Sequence, residues 1–132
     1  MEKIRLLVVT ALLSIFLLIL HVVDDIVRGF DSAGLQNMIG IVVTAVLLYG
    51  TLVLRDRLAG LIMMLLISIF ASGMPVIHLR SARINEIAQA NGGYFFITTL
   101  WVLGVIGIFG IILSVQLIWE RSRNKRISQA RD

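Results

Sequence analysis

Apolar residues in this 132-residue chain fall into four runs, and the short segments between them hold most of the charge. A helix needs roughly 20 mainly apolar residues to cross the hydrocarbon of a bilayer, and these runs meet or approach that length. The pattern predicts spans over about 4–28, 38–54, 58–79 and 94–119.

The first run ends in Ile19-Leu20-His21-Val22-Val23-Asp24-Asp25-Ile26-Val27-Arg28-Gly29. A helix stopping at Val23 would place two carboxylates at the negative end of its dipole. The helix is therefore expected to continue about one turn beyond the membrane, with Asp24 four residues before Arg28 and Gly29 as a left-handed cap. No small-x-small cleavage signal follows the run, so it is expected to be a retained helix rather than a signal peptide.

Phe30 to Asn37 reads as a loop, with turn chemistry in Asp31-Ser32-Ala33-Gly34. In the second span Gly40, Thr44 and Thr51 share one side at helical spacing. Arg55-Asp56-Arg57 is a tight turn that makes the second and third helices antiparallel neighbours. Pro75 has no N–H for the carbonyl of Ala71 and is expected to kink the third span near its end, with Ser72 as local help. Between Arg80 and Gly93 a short surface helix is expected, starting at Ser81 and ended by Asn91-Gly92-Gly93. Tyr94 and Trp119 suit the two interfacial aromatic belts of the fourth span. The basic, polar segment 120–132 reads as a fraying helix end.

Composition adds that the solvent is lipid: 58% of residues are hydrophobic and 15% charged, against about 45–50% and about 25% in soluble domains. The absence of cysteine excludes disulfides, thiolate metal sites, cysteine nucleophiles and palmitoylation. The net charge of +4 is dispersed among the short segments, which argues for a membrane topology and against a nucleic-acid partner. With four spans, one side holds Lys3, Arg5, Arg55, Arg57, Arg121, Arg123, Lys125, Arg126 and Arg131, and the other holds Arg28, Arg80 and Arg83. Counting the acids, the two sides carry +5 and −1. The positive-inside rule then puts both termini in the cytoplasm, as in a bacterial-type plasma membrane, with anionic lipids against the basic side.

The fold expected is an all-α integral membrane protein: one membrane domain, 1–132, of four transmembrane helices in an antiparallel bundle, with a short surface helix between the third and fourth spans and a basic cytoplasmic tail.

Candidate chemistry lies at the outer end. Thr10, Ser14, His21 and Asp25 fall within about 60° on the first helix, and polar side chains in a span face protein or water rather than lipid. His78, the second of two histidines, lies at the outer end of its own helix. His21, Asp24, Asp25 and His78 are the candidate catalytic groups, and His21, Asp25 and His78 the candidate ligands for a divalent metal. No other cofactor is expected. Zincin spacing is absent, and two histidines exclude a three-histidine zinc hydrolase. Gly104, Gly107, Gly110 and Ser114 form a small-residue face suited to close helix packing within or between protomers. Met63 and Met64 read as packing or lipid-facing residues.

The chain resembles the smallest multidrug exporters, also four-helix proteins, in length only. Their proton-coupling carboxylate lies mid-membrane in the first helix, whereas here Ala11 to Leu18 carries no charge. The first expectation for function is a structural, interaction or accessory membrane protein that self-associates or binds another membrane protein. Two alternatives use the His/Asp cluster: an enzyme or ligand-binding bundle for an amphiphile, and a divalent-metal site.

Overall fold

The computed structural model describes residues 2–27, 34–80, 85, 89 and 91–129. Among them lie four helices: α1 (Glu2–Val27), α2 (Leu35–Leu52), α3 (Leu58–Leu79) and α4 (Gly93–Gln129). α1, α3 and α4 are each long and apolar enough to cross a membrane, and α2 adds a shorter apolar stretch, Ile39–Leu52. Most of the expected surface helix lies outside the described residues, as do Arg28 and Gly29.

The helix limits differ from the expected ones where local bonding wins. α2 begins at Leu35, inside the segment expected as a loop, directly after Gly34 in extended backbone. No glycine or proline intervenes from 35 to 39, so nothing opposes helical bonding back to Gly34. At its other end α2 stops at Leu52, with the N–H of Val53 donating to the carbonyl of Tyr49 at 2.8 Å. The turn is then closed by the N–H of Arg57 on the carbonyl of Leu54, 2.8 Å.

α3 stays helical through Pro75. Ser72 does not help at the carbonyl of Ala71; its hydroxyl donates to the carbonyl of Ile69 at 2.8 Å. A helical serine reaches carbonyls three or four residues back, not the adjacent one. α4 starts after Gly92, whose φ of 78° is left-handed and costs glycine little. It does not fray at Glu120 but continues to Gln129. Glu120, Arg121, Lys125 and Arg126 are good helix formers. Two contacts also brace this part: Lys3 pairs with Glu120, and Arg121 donates to the carbonyl of Asp56 at 2.6 Å.

The interior has three levels. At the basic end Leu7, Val8, Ala11, Leu61, Met64 and Leu113 form one apolar cluster. At the opposite end Ala71, Met74, Phe96, Leu100 and Leu103 form another. Between them lies a small and polar level of Thr10, Ser14, Ser68, Gly107, Gly110 and Ser114, all buried. The hydroxyls of Thr10, Ser14 and Ser68 each bond a carbonyl four residues back in their own helix. That satisfies them without a partner helix.

Their small size lets the helices approach closely. A Cβ added at Gly107 would overlap the backbone of Ser72 and the carbonyl of Ser68, and one at Gly110 would overlap Ser68 and touch Thr10. Gly104 lies against Pro75 in the same way. The small-residue face of α4 is thus occupied by α3 of the same chain.

α2 packs unevenly. Thr51 is buried and Gly50 lies against Met63, but Gly40 has nothing within 4 Å of the place its Cβ would take. The face expected from Gly40, Thr44 and Thr51 is therefore used at the Thr51 end, while Thr44 only bonds back to the carbonyl of Gly40.

Candidate metal centre

His21 and Asp25 lie one helical turn apart near the end of α1, and His78 lies in the last turn of α3. His21 follows from the inward stripe that starts at Thr10 and Ser14, and it is 3% exposed. The side chains of Asp25 and His78 are 20% and 22% exposed, so the cluster is closed at His21 and reachable at Asp25 and His78.

The Nε2 atoms of His21 and His78 are 3.0 Å apart. Asp25 Oδ2 is 3.5 Å from the first and 3.9 Å from the second. The rings meet edge to face, with centroids 4.5 Å apart and planes at 86°. Phe96, from the first turn of α4, lies beneath both, with its centroid 4.7 Å from His21 and 6.1 Å from His78.

Hydrogen bonding decides what these edges offer. His78 Nδ1 lies 3.0 Å from the carbonyl of Met74. A carbonyl only accepts, so Nδ1 carries the proton and the Nε2 of neutral His78 turns a lone pair into the cluster. This is the usual way of fixing the tautomer and orientation of a metal-binding histidine. His21 Nδ1 is buried and has no hydrogen-bond partner among the described residues. Facing the lone pair of His78, His21 Nε2 has two options: it donates a proton, or it joins His78 on a cation.

The spacing suits a cation. A circle through the three donor atoms has a radius of about 2.0 Å, within the range of zinc–imidazole and zinc–carboxylate bonds, ~2.0–2.2 Å. His21, Asp25 and His78 would be the residues to hold such an ion, each offering one donor atom.

No protein-family model, curated protein or solved structure matches this chain. The site's chemistry is therefore read from its own donors.

Two imidazoles and one carboxylate suit zinc and its first-row neighbours, while all-oxygen sites suit magnesium and calcium. Of the four groups expected at this end, His21, Asp25 and His78 bring ligand atoms together. Asp24, half-buried one position earlier on α1, is not one of the three. The residue that sequence reasoning passed over is Phe96, which supports both imidazoles. Its only signal is an aromatic residue in the first turn of α4.

Proposed function

We propose that this is a multi-pass membrane protein whose outer end is clipped by a divalent first-row metal ion shared among His21, Asp25 and His78. The observation that carries the proposal is the triangle of donor atoms with a circumscribed radius of about 2.0 Å, the length of a zinc–ligand bond. The tautomer of His78, fixed by Met74, supports it.

In this reading four spans form an antiparallel bundle with both termini in the cytoplasm. The contacts of Lys3 with Glu120 at one end and of His21 with Phe96 at the other support opposite directions for α1 and α4. The charge bias supports the orientation. The role is structural or accessory: the ion ties α1 to α3 where α2 lends least support. α1 has no ionisable residue between Arg5 and His21, so it lacks the mid-membrane charge that marks ion and proton pathways.

Elemental analysis of chelator-free protein purified in detergent tests the site. About one metal per chain is expected, lost in His21→Ala and His78→Ala. Asp25→Asn, at a partly exposed position, should also lose the thermal stabilisation that added Zn2+ gives the native chain. Sub-stoichiometric metal unchanged by His21→Ala would overturn the proposal.

A further inference from the structure

The opposite end of the molecule has a concavity that the metal centre does not use. It is lined by Ile4, Arg5 and Val8 of α1 and by Arg55 and Asp56 of the turn between α2 and α3, with a volume of about 210 Å³. Pockets for whole small molecules run to about 300–1,000 Å³. This one has room for a headgroup but not for a lipid.

Its chemistry is that of an anion site with an apolar wall. Val8 belongs to the apolar cluster at this end, and the partly buried Ile4 packs against it. Arg5 forms no hydrogen bond or ion pair with another described residue. Among the described residues Arg55 pairs only with its sequence neighbour, with Nε 3.4 Å from Asp56 Oδ2. That carboxylate is the one anionic group in the lining, against two guanidinium groups.

The two arginines are held by braced elements. Arg121 donates to the carbonyl of Asp56 at 2.6 Å and fixes the turn that carries Arg55. Lys3 pairs with Glu120 and fixes the first turn of α1 next to Arg5. Trp119, 71% exposed one residue before Glu120, sets this end at the level where aromatic side chains meet lipid headgroups.

We infer that Arg5 and Arg55 bind the phosphate of one anionic phospholipid at the basic end of the bundle, with Ile4 and Val8 against the start of its acyl chains. Arginine suits a phosphate because its planar fork donates two parallel hydrogen bonds. Basic pockets between membrane helices are a known place for anionic headgroups. The inference needs the chain to lie in a membrane but does not depend on a metal at the other end.

The test uses full-length protein in neutral phosphatidylcholine nanodiscs with increasing phosphatidylglycerol. Retained lipid is counted by native mass spectrometry. One phosphatidylglycerol per chain is expected in preference to phosphatidylcholine. Arg5→Gln and Arg55→Gln should each weaken retention about fivefold, and the double variant should reduce it to the phosphatidylcholine level. Asp56→Asn should strengthen it, a gain that loss of folding cannot imitate. Arg123→Gln, the same charge change on the exposed end of α4, should leave it unchanged.

An equal loss in Arg123→Gln would show diffuse attraction and overturn the site. So would retention of phosphatidylglycerol by the double variant. Displacement of the lipid by millimolar inorganic phosphate would show that free phosphate is the ligand, and would overturn the lipid assignment.

Discussion

At Gly107 a single added carbon would separate α3 from α4, because the atoms it meets are backbone and cannot rotate away. Gly107→Ala should lower the unfolding free energy in micelles by roughly 1–3 kcal/mol. Gly73→Ala has nothing within 4 Å of the new carbon and should gain up to about 1 kcal/mol of helix propensity. Denaturant titrations of the two variants check this, and equal effects would contradict the close approach. Much at this scale is legible in the sequence. Small residues three or four apart announce a packing face, and a polar stripe at 100° per residue points His21 inward. Phe96 is not legible, because an aromatic residue in an apolar run looks the same whether it faces lipid or an imidazole until the rotation of α4 is set. His78 lies 57 residues from His21, so their meeting depends on the register of α3 against α1, which no local pattern encodes.

At the scale of elements, the ends of α1 and α4 are joined by Lys3 and Glu120. The Lys3 ammonium, hydrogen-bonded to the carboxyl of Glu120, holds it below the ordinary glutamate range. A depressed carboxyl stabilises the fold above its unfolded pKa and loses that contribution as pH falls through its folded pKa. Acidification through the usual glutamate range and below it should therefore release the first turn of α1, seen as faster hydrogen exchange there. Lys3→Gln should remove the dependence, and the same pH profile in that variant would count against the pairing. All four helices are readable as apolar runs, and three of them, α1, α3 and α4, have spanning length while the apolar stretch of α2 is shorter. The limits of the helices are less legible. The extension of α4 to Gln129 comes partly from contacts with Lys3 and the carbonyl of Asp56, which belong to other elements. Gly40, Thr44 and Thr51 share one side of α2 by spacing, yet of the three only Thr51 is buried. Periodicity gives the side on which a helix packs, not how far along its length a neighbour follows it.

For the whole molecule, the decisive property is the side of the membrane on which each end lies. Ser128, exposed near the end of α4, and Asn91, exposed just before it, are the positions to label, since the chain has no native cysteine. Ser128→Cys should react with an impermeant maleimide only after the membrane is opened, and Asn91→Cys should react in intact cells. The reverse pattern would invert the orientation. The level of Thr10, Ser14, Ser68, Gly107, Gly110 and Ser114 bears on how the two ends communicate. Residues His21 and Arg5 are about 24 Å apart along the axis of α1. Mechanical coupling over such a distance needs packed side chains with two discrete arrangements. At mid-height the hydroxyls of Thr10, Ser14 and Ser68 are each bonded within their own helix, and the glycines have no rotamer to change. Three of the four hydroxyls at this level are thus committed within their own helices, and that of Ser114, buried without a hydrogen-bond partner among the described residues, is the one left to turn. Little mechanical coupling between the two ends is therefore expected to pass through mid-height.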